Sequence, residues 1–329
     1  MAITLRLALA LATAAVVQFT LTASAPAGAQ VWPSGPIRIV VPFAAGGSVD
    51  AIPRLLQPGL QERLGVPVIV ENRAGASGAI GASAVARAAP NGSTWLSIAD
   101  TLAVSRALYQ DQPFDAEKDL EPVLLIGTSP YVLAAHPSRP YRTLSELIAV
   151  AKSQPGGISY ATFGTGSGGH LAMLQLARSA GVNLVHVPYR GGGPAVADAM
   201  AGHVDLVIGS AALITPLLKG DKLRGVVQFG PDRLAAMSQL PTAADSGFPN
   251  SQAVVWWGIF TTAGTPKPVI ERIRAELVSG LSDERIAKQL TESMQIKLSL
   301  DGPETLRGFL SEQIRVWSAV VREHSVKAE

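Results

Sequence analysis

Four glycine-rich turns supply the residues whose types and spacing could do chemistry. They cover residues 42–50, 74–81, 164–170 and 189–194, and each precedes a helical pattern. Glycine lets a ligand approach the backbone closely, and a helix that begins there directs free N–H groups and its positive dipole end at that ligand. The turns therefore suit a carboxylate or a phosphate group.

The candidate ligand-binding residues lie on three of these turns. Gly46 and Gly47 free the backbone of the first turn for positive φ, although a tight turn with no ligand fits the same residues. The turn at 74–81 fits close helix–sheet packing as well as binding, and Arg190 fits either a cleft cation or a solvated turn residue. The candidates are Phe43, Ala44, Ala45, Gly46, Gly47, Asp50, Thr165, Gly166, Ser167, Gly168, His170, Arg190 and Gly191.

The turn at 164–170 also raises two enzymatic alternatives. It formally matches the dinucleotide pattern GxGxxG, but the next strand ends without the acidic residue that would hold a ribose. Ser167 and His170 could serve an exported hydrolase, although the first glycine of the GxSxG elbow is missing and His170 has no evident acidic partner. We expect a binding protein without a cofactor, and the Ser/His hydrolase stays the alternative function.

Composition removes several other classes of protein. The 329 residues contain no Cys, which excludes disulfides, thiolate metal sites and Cys nucleophiles. The five His show no metal-ligand spacing, so we expect no metal site. Lys and Arg number 27 against 25 Asp and Glu, and no basic block is visible. Because nucleic-acid binding needs a clustered basic surface, we expect no nucleic-acid partner.

Residues 1–29 resemble a secretory signal peptide. Arg6 is followed by an apolar run over 7–21 and by an A-x-A site at 27–29. The alternative, a membrane anchor, needs roughly 20 apolar residues, and this run is shorter. We expect cleavage after Ala29, which leaves an exported, soluble chain.

Short β-branched runs alternate with helical patterns along that chain. Strands are predicted near residues 37–41, 66–70, 95–98, 123–126, 158–161, 184–187, 204–208 and 225–228. Alternation of this kind predicts βαβ units, largely parallel sheets and helices on both faces. Two amphipathic packing helices are predicted after Pro266 and Pro303.

Several motifs in chain order resemble those of one known family. They are residues 36–50, 70–76, 186–191, 202–205, 222–224, 241–242, 256–258 and 263–266. Together they are similar to the Bug family, the periplasmic solute receptors of tripartite tricarboxylate transporters. The match runs over nearly the whole mature chain.

The resemblance implies an α/β fold of the periplasmic-binding-protein kind, type II-like. Each of two domains would be a mostly parallel sheet flanked by helices: residues 31–127 with 255–329, and residues 128–254. Crossover strands are expected near 126–134 and Val254–Thr262. Three features depart from the family. Pro53 and Pro58 are expected to bend or stop the first helix, and Asp245 stands where the family more often has Glu. We expect Phe163 to alter the size of the pocket or its preference for an aromatic ligand.

The resemblance also implies the function. A small organic carboxylate would bind in the interdomain cleft, held by backbone amides and waters between the loops at 43–50 and 164–170. The periplasmic monomer would then deliver it to an integral-membrane tricarboxylate-type permease, or act as a carboxylate sensor with no dedicated permease.

Overall fold

The predicted strands are present, with shifts of a few residues at their ends, in the computed structural model, which describes residues 32–109 and 111–327. The predicted signal peptide lies outside these residues. The strands are β1 (Ile37–Val41), β2 (Val68–Asn72), β3 (Thr94–Ala99), β4 (Leu120–Ala135), β5 (Ser159–Thr162), β6 (Val185–Pro188), β7 (Leu206–Ser210), β8 (Arg224–Gln228), β9 (Val254–Thr262) and β10 (Lys297–Asp301). Strand β10 was not predicted from the sequence.

Helices follow most of these strands, as the alternating pattern predicts. They are α1 (Ser48–Leu64), α2 (Ala79–Ala86), α3 (Thr101–Leu108), α4 (Leu144–Ser153), α5 (Gly168–Ala180), α6 (Gly192–Ala201), α7 (Ala211–Lys219), α8 (Lys267–Leu281), α9 (Glu284–Lys288) and α10 (Pro303–Glu323). Of the helices in the described part of the chain, none is long and apolar enough to cross a membrane.

The strands join into one mixed sheet in which two long strands pass through the middle. The order is β2-β1-β3-β9-β4-β7-β5-β6, with β8 and β10 also paired to β4. The outer pairs β1–β2, β1–β3, β5–β6 and β5–β7 are parallel, whereas β4 and β9 run antiparallel to their neighbours. The α/β class is therefore confirmed, and both expected crossover strands are present.

The division into two domains stays a prediction. Contacts group Gly35–Glu329 into one compact unit. Within it, β4 pairs with β9 and β10 over its first part and with β7 and β8 over its second part. A boundary at residue 127 or 128 would therefore fall inside a single continuous strand.

Helix α1 corrects the expectation that prolines interrupt it. It runs for 17 residues through Pro53 and Pro58. A proline removes the N–H that would bind the carbonyl four residues earlier. For Pro53 that carbonyl is Val49 O, which instead accepts a hydrogen bond from the Ser97 hydroxyl at 3.3 Å. Pro58 is exposed, and the carbonyl that it leaves without a helical hydrogen bond lies on the solvent-facing side of the helix.

Candidate functional site

The carboxyl ends of strands from both halves of the sheet meet at one place. There the Ala44 amide donates to Arg190 O at 2.8 Å, which joins the loop after β1 to the loop after β6. The Ser210 hydroxyl, at the end of β7, donates to Ser48 Oγ at 3.3 Å in the first turn of α1. The sequence-predicted loops are therefore brought together face to face.

A small cavity lies between these loops. Its volume is about 30 Å³, and a water needs roughly 10–15 Å³ on the same measure. The cavity therefore has room for water but not for an organic acid of several carbons. The lining residues are Phe43, Ala44, Gly47, Ser48, Val49, Asp50, Ala99, Asp100, Thr101, Tyr131, Phe163, Ser167, Gly191, Gly192 and Val255.

At the α1 side of this cavity, the helix begins without a side-chain cap. Gly47 is the N-cap residue, and no side chain accepts a hydrogen bond from the first turn. Among the described residues, the amides of Ser48 and Val49 have no acceptor. Positive φ is confined to Gly46, at 90°, and Gly47 has φ −88°. The expectation of positive φ at both glycines is therefore wrong for Gly47. Glycine is needed at this position for space instead, because a Cβ there would lie 3.3 Å from Gly192 N.

Asp50, also on the α1 side, is neutralised within its own half of the sheet. Its Oδ1 accepts from Arg54 Nε and from Asn72 Nδ2, both at 2.9 Å, and its Oδ2 accepts from the Gly46 amide. Burial acts to raise the pKa of Asp50, but these hydrogen bonds outweigh it and hold the pKa below the ordinary value. Asp50 therefore stays ionised and fixes the loop in place.

At the α5 side, protein groups accept hydrogen bonds from two amides of the first turn, those of Gly168 and His170. The Gly168 amide donates to Asp100 Oδ2 at 2.8 Å. The His170 amide donates to Ser167 Oγ at 3.3 Å, and the Gly166 amide donates to His170 Nδ1 at 3.1 Å. A ligand could reach the Gly168 amide only by displacing the Asp100 carboxylate.

Asp100 and Tyr131 are cavity residues that the sequence analysis missed. The Tyr131 hydroxyl donates to Asp100 Oδ2 at 2.8 Å, and both residues are buried. Burial raises the pKa of Asp100 to about 6, although the hydrogen bonds from Tyr131 and Gly168 act to lower it. The junction of β3 and α3 contains no glycine, which is why a search for glycine-rich turns passed over it. A carboxylate at the end of a buried strand was the available signal.

His170 is placed for packing rather than for proton transfer. Its ring stacks on His186 with centroids 3.8 Å apart, and burial lowers its pKa to about 3. Its Nδ1 accepts from a backbone amide, and Ser167 Oγ contacts the His170 backbone rather than the ring. Ser167 and His170 are therefore not arranged as a nucleophile and its base. No cluster of metal-ligating side chains is present in residues 32–109 and 111–327.

A second, larger cavity of about 420 Å³ lies next to the small one. Phe43 and Phe163 line both cavities, so these two rings stand between them. The exposed Arg190 and the buried Thr165 line the larger cavity only, and Thr165 Oγ1 has no hydrogen-bond partner among the described residues. The predicted candidates are therefore not gathered around one space: some line either cavity, and five line neither, namely Ala45, Gly46, Gly166, Gly168 and His170.

The sequence from residue 52 to residue 326 matches the profile of one family, described as tripartite tricarboxylate transporter family receptor. The chain belongs to this receptor family. The receptor is also similar to solved structures. The periplasmic binding protein BugD has a TM-score of 0.86 and 30% identity, with 91% of this chain and 100% of that chain covered.

Two further structures similar to the receptor contain named carboxylates. Rpa4515 from R. palustris, solved with adipate, has a TM-score of 0.85 and 28% identity over 90% of this chain and 99% of its own. MatC from Rhodopseudomonas palustris, solved with malate, has a TM-score of 0.82 and 30% identity over 88% of this chain and 100% of its own.

These comparisons confirm the expected periplasmic-binding-protein fold and the expected family. The receptor is a solute-binding protein of the periplasm, and its family consists of receptors rather than enzymes. The comparisons give no support to the alternative of an exported hydrolase, in agreement with the separation of Ser167 from the His170 ring.

Proposed function

We propose that the receptor captures a small organic carboxylate in the cleft that contains the small cavity. The observation that carries this proposal is the uncapped first turn of α1: Ser48 and Val49 line the cavity, and their amides have no acceptor among the described residues. A helix N-terminus with free amides stabilises an anion by hydrogen bonds and by the helix dipole. The adipate and malate bound by two similar proteins support the same ligand class.

The cleft widens to admit this ligand and closes around it. Support comes from the cavity of about 30 Å³, which is smaller than any carboxylate of several carbons. Strands β4 and β9 connect the two halves, and their pairing has a register shift between Leu125 and Gly127. Irregularities of this kind let strands bend, and hinge closure needs only a few residues that change their dihedral angles.

Delivery to a membrane permease is the final part of the proposal. The family description names a tripartite transporter, which supports integral-membrane permease subunits as partners. A receptor without a dedicated permease would instead act as a carboxylate sensor. Residues 1–29 would direct export and be removed by cleavage after Ala29, and the released chain would act as a monomer.

A thermal-shift screen of the purified mature chain tests the proposal. The panel contains monocarboxylates, dicarboxylates, tricarboxylates, aromatic acids and amino acids, with matched alcohols and amides as controls. A ligand at 100 times its Kd adds about 2.7 kcal/mol to the free energy of unfolding, so a raised Tm is expected for at least one carboxylate. An unchanged Tm across all carboxylates would contradict the proposal. An ester panel with the same chain should show no turnover.

A further inference from the structure

Asp100 carries the inference, because it is a buried carboxylate in the cleft that no predicted role uses. It follows β3 directly and is only 5% exposed. Its Oδ2 accepts from the Tyr131 hydroxyl and from the Gly168 amide, both at 2.8 Å. Asp100 therefore takes the position at the α5 N-terminus that an anionic group of a ligand would otherwise occupy.

The charges around the small cavity do not balance. Two carboxylates line it, Asp50 and Asp100, and Asp50 is paired with Arg54 at 2.9 Å. Among the described residues, no lysine, arginine or histidine lines the cavity. Asp100 is held by neutral donors alone. Because its pKa of about 6 lies below neutral pH, it is largely ionised there. A buried carboxylate without a cation favours a positively charged neighbour.

Thr101 provides a second, independent indication of a ligand at this place. It is 2% exposed and lines the same cavity. Its hydroxyl has no hydrogen-bond partner in the part of the chain that the structure describes. Buried hydroxyls are almost always hydrogen-bonded in native proteins, so Thr101 Oγ1 is available to a polar group of a bound molecule.

The two sides of the cavity therefore offer opposite chemistry. The α1 side presents free amide donors at Ser48 and Val49, which suit a carboxylate. The other side presents the Asp100 carboxylate and the Thr101 hydroxyl, both of which can accept hydrogen bonds. A second carboxylate beside Asp100 would place two like charges together in a buried space, which is unfavourable.

We propose that Asp100 is a specificity-determining residue that selects amino-carboxylates over dicarboxylates of the same length. The ligand carboxylate binds at the α1 side, and its ammonium group donates hydrogen bonds to Asp100 and Thr101. This inference rests on the proposed function, since it requires carboxylate binding at α1. It narrows the ligand class to molecules that carry one carboxylate and one cationic nitrogen.

Calorimetry with ligands of matched length tests this inference. The six-carbon set is hexanoate, adipate, 6-aminohexanoate and L-norleucine, and the four-carbon set is butyrate, succinate, 4-aminobutyrate and L-2-aminobutyrate. The wild-type receptor should bind the best amino-carboxylate of a set at least about tenfold more tightly than the dicarboxylate. Asp100→Asn should reduce that ratio to about threefold or less, through weaker binding of the amino-carboxylate.

Asp245→Asn is the matched control, because Asp245 pairs with Arg233 outside the cleft. It should leave the ratio unchanged. Two results would overturn the inference: a wild-type receptor that binds the dicarboxylate as tightly as the amino-carboxylate, or an unchanged ratio in Asp100→Asn. Neither result would contradict carboxylate binding itself. The affinity ratio of the wild-type receptor tests the inference even if the Asp100→Asn variant does not fold. Failure of the proposed function looks different, because then no carboxylate of the thermal-shift panel binds.

Discussion

The N-terminal ends of α1 and α5 lie at the same small cavity, which Ser48 of α1 and the α5 N-cap residue Ser167 both line, but they differ in what their N–H groups contact. At α1, Gly47 leaves the helix uncapped, and the Ser48 and Val49 amides have no acceptor among the described residues. At α5, the Gly168 amide is bound to Asp100, and the Ser167 side chain caps the helix. Both loops are rich in glycine and both precede helices, yet only one is left free for a ligand.

The difference teaches that a glycine-rich turn before a helix identifies an anion site without identifying the anion. Free N–H groups and the helix dipole stabilise any carboxylate in reach, including one from the protein. At α5 that carboxylate belongs to Asp100, 68 residues earlier in the chain. At α1 the nearest carboxylate, Asp50, is held by Arg54 and Asn72 instead.

Blocking the α1 side should have the largest effect. In Gly47→Val, a Cβ would lie 3.3 Å from Gly192 N across the cleft, and the branched side chain would cover the Ser48 amide. We expect carboxylate binding measured by calorimetry to weaken by more than about 100-fold, or 2.7 kcal/mol. Gly308→Val is the control, since no atom lies within 4 Å of a Cβ at Gly308. Near-normal binding by Gly47→Val would contradict the claim that the α1 side, and not the α5 side, binds the ligand carboxylate.

The pH dependence of stability should reveal the carboxylate at α5. Because the folded pKa of Asp100, about 6, exceeds the unfolded value of 3.8, the folded state binds more protons between these values. The free energy of unfolding of wild type relative to Asp100→Asn should therefore fall by roughly 2 kcal/mol as pH rises from about 4 to 6. Urea denaturation across this range measures the difference.

Asp245→Asn should show the opposite sign when the same experiment is extended below about pH 4. A backbone hydrogen bond from Thr242 and the Arg233 side chain hold the pKa of Asp245 below its ordinary value. The contribution of Asp245 to stability is therefore present above the unfolded pKa and lost as pH falls below about 4. A difference between wild type and Asp100→Asn that is flat or rises over pH 4–6 would contradict the assignment of Asp100.

Much of the arrangement of loops around the small cavity could be predicted from the sequence. The prediction was best for the α1 side, where the amides are free. Gly46 and Gly47 follow β1 and precede α1 within one short stretch, so local spacing alone placed them. The same local signal marked the turn at 164–170. It could not show that α5 is occupied, because Tyr131 and Gly168 reach Asp100 from 31 and 68 residues away.

Two other differences also have long-range causes. The proline rule predicted a break in α1, but Ser97 on β3 satisfies the carbonyl that Pro53 leaves free. Strand β10 went unpredicted because it is short and partly exposed, and it forms through antiparallel pairing with β4, a partner more than 150 residues earlier. In both cases a distant residue supplies a hydrogen bond that no local pattern records.

Removing a cap should have a moderate effect that sharpens the comparison. Ser167 caps α5 at the cavity, and Thr143 caps α4 in the same way without lining the cavity. Alanine at either position should lower the free energy of unfolding by about 1 kcal/mol. Only Ser167→Ala should also weaken carboxylate binding, by about 0.5–1.5 kcal/mol. Equal binding losses in both variants would show that Ser167 acts through stability alone.

Removal of the Arg190 side chain should have the smallest effect. Arg190 is exposed, and it lines the larger cavity rather than the small one. Arg190→Ala should therefore weaken carboxylate binding by less than about 1 kcal/mol, with Arg285→Ala on the exposed side of α9 as the control. A loss of about 3–5 kcal/mol would instead mean that Arg190 forms a buried ion pair with the ligand in the closed cleft.

The most direct test of the central claim is a crystal structure of the receptor with the carboxylate that gives the largest thermal shift. We predict that a ligand carboxylate oxygen lies within about 3.2 Å of the Ser48 or Val49 amide nitrogen. Asp100 should still accept from Gly168. A ligand carboxylate bound to the Gly168 amide, with Asp100 turned away and the α1 amides free, would contradict the account.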